Sequence, residues 1–294
     1  MIENDGAAVE LLSRRIRLQR VPYIPTHRAA TAFLSFAAIL ILLVCGCAKP
    51  SKRTQVKKEP SEGLGHRSSP AAGNAAPRLA VIVDDMGNDR AADDAALALP
   101  YPLTMSVLPH LPLSAQIADA ATRRGDEVML HLPMQPDSEI APAETIELRP
   151  GMPSSEVRSM LAAMLATVPH ASGVNNHEGS KATADAPLMD ALMQALHERG
   201  LFFIDSRTTS STVAYDVARR YDVRAASRKV FLDDSLDPKA IENQIELAAH
   251  YATRGGEAIA IGHPHPQTVE ALREMLPRIQ RRGVQLVFAS DVAH

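Results

Sequence analysis

Leu79-Ala80-Val81-Ile82-Val83-Asp84-Asp85-Met86-Gly87 places five apolar residues directly before two carboxylates and a glycine. From this stretch onward, short apolar runs alternate with amphipathic stretches of about ten to fifteen residues, the signature of βα units in a parallel sheet. The strands expected are Leu79–Val83, Leu103–Leu108, Glu127–Leu132, Ser172–Asn175, Leu201–Ile204, Lys229–Leu232, Ala258–Ile261 and Val284–Phe288. Helices are expected near 89–99, 113–124, 154–167, 187–199, 212–221, 238–254 and 267–282. Three of them run through arginine into glycine, at Gly125, Gly200 and Gly283, where a left-handed residue ends a helix without strain. The pattern predicts one α/β domain over 79–294, a distorted (β/α) barrel of seven or eight mostly parallel strands.

The chain before this domain has a different composition. Residues 1–28 form a basic N-terminal segment, and residues 29–46 carry no charge and are long enough for a helix to cross a bilayer. The run ends in Val44-Cys45-Gly46-Cys47, similar to a bacterial lipoprotein cleavage box, so 29–47 is a signal or anchor segment. Two outcomes stand: cleavage with lipidation at Cys47, or an uncleaved single-pass anchor, because a 28-residue leader is long for a signal peptide. Residues 48–78 are rich in Lys, Pro, Ser, Gly and Ala and lack the apolar surface to offset chain entropy, so they read as a flexible linker. Arginines before the span are matched by Lys and Arg after it, so the charge count sets no orientation. The expectation is a membrane-anchored protein whose domain lies outside the cytoplasm, in the periplasm or cell envelope.

The chain of 294 residues carries 31 basic and 34 acidic side chains, a formal net charge of −3. That balance gives no field to neutralise many phosphates, which disfavours nucleic acid as a partner. Both cysteines, Cys45 and Cys47, precede the domain, so disulfides, thiolate metal sites and cysteine nucleophiles are excluded from it. A metal there must sit on His, Asp or Glu.

In barrels of this kind chemistry collects on loops at the C-terminal ends of strands. Those positions carry Asp84-Asp85-Met86-Gly87, His131-Leu132-Pro133-Met134, Asn175-Asn176-His177-Glu178, Asp205-Ser206-Arg207-Thr208, Asp233-Asp234 and Gly262-His263-Pro264-His265. Each carboxylate alone reads as a helix cap or turn residue, and each histidine alone as a hydrogen-bonded structural group. Their concentration on one rim is harder to assign to turns. Adjacent Asp84 and Asp85 repel unless a cation or donors compensate, and a divalent metal is the simplest compensation.

These motifs, in this order from Leu79 to about Val292, resemble the divergent polysaccharide deacetylases, a distant branch of the metal-dependent polysaccharide deacetylases. The resemblance implies that Asp84 is the general base, that Asp85 and His131 bind the metal, and that His263 is the general acid. The ordinary HxxxH motif would place its second histidine at position 135, which is Gln135 here. His177 is the replacement, completing an Asp-His-His set suited to zinc. The ordinary family's third motif, which brings an arginine to the base, has no counterpart here, and Arg207 stands as a substitute. Where the divergent family's fourth-strand motif has Met, this chain has Glu178, either a further ligand or a solvent-facing group. Asp205 is a further supporting candidate, and His265 either shapes the site or caps the following helix.

The implied activity is metal-assisted hydrolysis of an acetamide, and the implied substrate an acetylated polysaccharide or peptidoglycan-type glycan of the envelope. The competing reading is a non-catalytic envelope protein that keeps the fold and binds a glycan or a partner. The broken HxxxH motif and an aromatic content of 4% favour that alternative, since sugar sites commonly stack on aromatic rings.

Overall fold

The computed structural model describes residues 76–137 and 146–294. The basic segment 1–28, the apolar run 29–47 with its cleavage box, and all but the last residues of the linker 48–78 lie outside the described residues. No helix among the described residues is long and apolar enough to cross a membrane.

Strands β1 (Arg78–Met86), β2 (Thr104–Val107), β3 (Glu127–Met134), β4 (Gly173–Glu178), β5 (Phe202–Asp205), β6 (Ala225–Ser227), β7 (Val230–Phe231), β8 (Glu257–Gly262) and β9 (Gln285–Val287) form one sheet. Helices α1 (Arg90–Leu97), α2 (Ser114–Arg124), α3 (Ser154–Leu165), α4 (Ala186–His197), α5 (Ala214–Arg220), α6 (Pro238–Gly255) and α7 (Pro266–Arg281) intervene. All seven expected helices are present, and every strand pairing is parallel. The spatial order is β6-β5-β4-β3-β2-β1-β8-β7, with β9 beside the start of β1.

One strand was not expected. β6 is three residues, Ala-Ala-Ser, without the β-branched or aromatic content that marks a strand, and only its pairing with β5 defines it. β6 and β7 are two parts of one extended stretch. Between them the amide of Arg228 donates to the Asp205 carbonyl, and that of Lys229 to the Ile259 carbonyl. The stretch therefore leaves β5 and joins β8, and the parallel sheet curls into a half-barrel consistent with a (β/α) barrel.

Alternation along the strands sorts side chains into two cores. Leu79, Val81 and Val83, with Val128, Leu130 and Phe203, face the helical layer. Ala80, Ile82, Met129, Phe202, Ile204, Ile259 and Ile261 fill the barrel, which Val287, Ala289, Val292 and Ala293 close from below. Gly173 makes room for this filling: a Cβ there would lie 2.4 Å from the Phe202 ring.

Candidate metal centre

The same alternation, continued toward the C-terminal ends of the strands, sets the polar rim. Ala80 and Ile82 lead to Asp84, Met129 to His131, Phe202 and Ile204 to Ser206, and Ile259 and Ile261 to His263. Parallel register pairs His131 with Asn175 and Pro133 with His177, so β4 delivers Asn175 and His177 beside His131. Asp85 breaks the alternation. The β1–β2 register shifts between Val83 and Met86, and Asp85 has a left-handed backbone (φ 59°), so two consecutive carboxylates turn toward one site. A non-glycine residue in that region costs energy and is typical of functional sites.

Asp85, His131 and His177 form a nearly equilateral triangle. His131 Nε2 is 3.2 Å and His177 Nδ1 3.1 Å from Asp85 Oδ1, and the two nitrogens are 3.1 Å apart. Tetrahedral zinc with bonds of about 2.0–2.1 Å spaces its ligands by about 3.3 Å, close to this triangle.

Hydrogen bonds fix which atoms present lone pairs. A carboxylate only accepts, so the 2.9 Å contact between Asn175 and Asp84 Oδ1 orients the amide with Nδ2 toward Asp84. Asn175 Oδ1 then faces His131 Nδ1 at 2.9 Å and also accepts from Ser106 Oγ at 2.6 Å. His131 must donate from Nδ1, which in the neutral ring leaves Nε2 bare toward Asp85. Asp85 Oδ1 is buried and makes no hydrogen bond. If His177 donates to His131, that oxygen remains unserved; a cation at the centre serves all three atoms. This donor set of two imidazoles and one carboxylate fits a divalent transition metal.

The electrostatics favour positive charge at this place. Burial opposes protonation of His131, but the adjacent Asp84 and Asp85 raise its proton affinity above that of an ordinary imidazole. Burial would likewise push the Asp85 carboxyl up, but His131 and His177 hold it well below the usual carboxylate range.

His263 stands across from the triangle, its Nε2 3.6 Å from Asp85 Oδ2. Its Nδ1 is 3.0 Å from Asp233 Oδ1, and its backbone amide donates to Asp233 Oδ2 at 2.7 Å. Thr268 Oγ1 donates to the same oxygen. Burial opposes charge on both partners of this pair, yet each favours the charged form of the other, so His263 is raised and Asp233 lowered. Phe231 packs edge-on against the His263 ring at 5.3 Å.

Of the supporting candidates, Asp205 serves the loop. It is fully buried, accepts from the Arg207 amide and from Thr212 Oγ1, and lies one residue out of phase with the inward-facing Ile204. Glu178 offers its carbonyl to Asn176 and Thr208 and falls outside both cation-compatible groups among the described residues. Arg207 contributes backbone contacts, and Arg228 lies among the rim carboxylates Asp234, Asp205 and Asp84. Sequence motifs gave no sign of Arg228. Its guanidinium donates to the Ser206 and Arg207 carbonyls and lies 5.0 Å over Phe231. His265 occupies the N-cap position of α7, but its side chain makes no cap; it tilts toward His263, with ring centres 5.7 Å apart.

A groove of about 660 Å³ lies between α1 and α7, bordered by Asp85, the one member of the triangle that reaches it, and by Asn88, Asp93, His263, His265 and Arg273. A second cleft of about 600 Å³, near Tyr215, Lys229 and Tyr251, does not border Asp84 or the triangle.

Comparison with known proteins places these features among relatives. Residues 81–293 match the family model described as divergent polysaccharide deacetylase. The uncharacterized protein YibQ of Escherichia coli strain K12 is 41% identical over 217 residues, covering 74% of this chain and 67% of that one. An uncharacterized protein of Haemophilus influenzae is 39% identical over 210 residues, 71% of this chain and 74% of its own. The crystal structure of an uncharacterized protein from Agrobacterium tumefaciens C58 shares the fold, with a TM-score of 0.72 at 21% identity over 76% of this chain and 92% of that one.

Proposed function

The chain belongs to the divergent polysaccharide deacetylase family, and from that premise we propose that it is a metal-dependent hydrolase removing acetyl groups from N-acetylated sugars of an envelope glycan. The observation that carries this reading is the convergence on one rim of a held carboxylate, Asp84, a ligand triangle and a carboxylate-backed imidazole, His263. Asp85, His131 and His177 would hold the cation, with zinc the best match to their chemistry. When bound, it supplies Lewis acidity, making water a nucleophile near neutral pH and polarising the acetamide carbonyl.

The protein's own residues handle the protons. Asn175 ties up Asp84 Oδ1, which leaves Oδ2, on the triangle side 3.6 Å from His131 Nε2, to take a proton from water. His263, whose proton affinity Asp233 raises, delivers a proton from Nε2 to the sugar nitrogen as its bond to the acyl carbon breaks. Water and amide thus become acetate and a free amine. Phe231 shields one edge of the His263 ring from solvent. The groove between α1 and α7 is the place for the glycan beside these groups. Residues 29–47 would anchor this domain to the membrane on its extracytoplasmic side.

The test is acetate release from N-acetylated peptidoglycan or chito-oligosaccharide. Wild type should release it and Asp84→Asn should not; equal release by both would remove Asp84 from the reaction.

A further inference from the structure

Asp85 has two oxygens facing two different imidazole groups. Oδ1 closes the triangle with His131 and His177, whereas Oδ2 lies 3.6 Å from His263 Nε2. The side chain is 36% exposed, so Oδ2 is open to the groove while Oδ1 is buried. A spacing of 3.6 Å is near the ligand-to-ligand separation of about 3.3 Å around tetrahedral zinc. His263 has the surroundings of a metal-ligating imidazole: its Nδ1 is committed to a carboxylate, which fixes the ring and leaves Nε2 to act. Both Asp233 oxygens already hold hydrogen-bond partners, Oδ1 with His263 Nδ1 and Oδ2 with the His263 amide and Thr268 Oγ1, and the side chain is buried. It stands behind the ligand.

The third member is His265. Its ring contributes no cap to α7, is exposed, and brings a nitrogen within 4.8 Å of donor atoms of His263 and Asp233. No cap and no hydrogen bond accounts for the tilt of the His265 ring toward His263, and both imidazoles line the same groove as Asp85.

We propose that His263 Nε2, His265 and Asp85 Oδ2 form a second, weaker site for a divalent cation, bridged to the first through Asp85, whose occupancy blocks the acid. The inference rests on the reading of Asp85 as ligand and His263 as acid. Carboxylate-bridged ions in two-metal sites lie about 3.5–4 Å apart, a separation one carboxylate spans. The second site is weaker because it shares the single charge of Asp85, depends on an exposed histidine and places a dication beside another. The cation and the proton needed by the leaving amine compete for one lone pair on His263. Metal in excess therefore inhibits a reaction that metal at one equivalent supports.

The test is equilibrium dialysis of the chelator-stripped full chain, in detergent, against zinc, with bound zinc read by elemental analysis. Wild type should load two equivalents in separate steps. His265→Ala and His265→Gln should each load only the first, and Asp233→Asn should keep the first and weaken the second about 10–100-fold. Saturation of wild type at one equivalent, or a second equivalent surviving in both His265 variants, overturns the inference and leaves the first site standing. Zinc held elsewhere, for example by His27 or His66, would survive in both. A wild-type chain that binds no zinc overturns the first site, and the second with it.

Discussion

Asn175 holds Asp84 and His131 at the two ends of one side-chain amide, with Nδ2 2.9 Å from Asp84 Oδ1 and Oδ1 2.9 Å from His131 Nδ1. The amide thereby sets which oxygen of Asp84, the proposed base, stays free and which tautomer His131, the proposed ligand, adopts. Asn175→Ala should weaken metal retention about 10–100-fold, the usual cost of losing a group that orients a ligand. It should also lower kcat, because Asp84 loses its only fixed oxygen. Metal affinity measured by competition with a chelator checks this; unchanged affinity would mean that the amide only fills space.

The base and the acid should separate from the ligands. Asp84→Asn and His263→Ala are expected to keep metal at one equivalent while reducing acetate release about 10²–10⁴-fold. His131→Ala should lose both. Loss of metal in Asp84→Asn would make Asp84 a ligand rather than a base.

Asp93 predicts a pH dependence away from the ligands. Its Oδ2 accepts from the Gly87 amide, while Oδ1 is buried without a hydrogen bond. Burial, against the opposing Gly87 bond and with Asp89 and Asp94 nearby, raises its carboxyl to about 6 from 3.8. Between those values the folded state binds more protons than the unfolded one, so this group makes stability fall as pH rises from about 4 to about 6. Asp93→Asn keeps the acceptor for Gly87 and should flatten that part of the profile. Urea unfolding at several pH values measures it; identical slopes in both proteins would contradict the assignment.

Gly173→Ala should destabilise the fold by about 1–3 kcal/mol, because the new methyl meets the Phe202 ring at 2.4 Å in a filled barrel. Phe202→Leu alone costs stability, but in the double variant part of the Gly173→Ala penalty should return. Additive losses in thermal unfolding would show that the two do not share the space.

The alternation of residues made more of the site legible than its motifs did. Asp84, His131 and His263 continue rows that begin with Ala80, Met129 and Ile259, so strand parity alone points them inward. The same parity turns Asp205 away from the barrel, although its motif suggested a site residue. Parity fails at Asp85, where a register shift and a left-handed backbone turn the side chain back; only the bare Asp-Asp pair marked the place. Asn175 was visible as a strand-end polar group, but its bridging role needs the His131–Asn175 register. β6 and Arg228 left no signal, because three small residues pair by position and the arginine acts through backbone carbonyls of another loop.

Asp85, His131 and His177 are proposed to hold a divalent metal. Elemental analysis of the chain purified without chelator tests it most directly, comparing wild type with His177→Ala. One equivalent of divalent metal is expected in wild type as purified, with a sharp loss in His177→Ala. A wild-type protein without metal, even after incubation with zinc, would contradict it and leave a glycan- or partner-binding protein on a deacetylase fold; full occupancy in His177→Ala would contradict the ligand set.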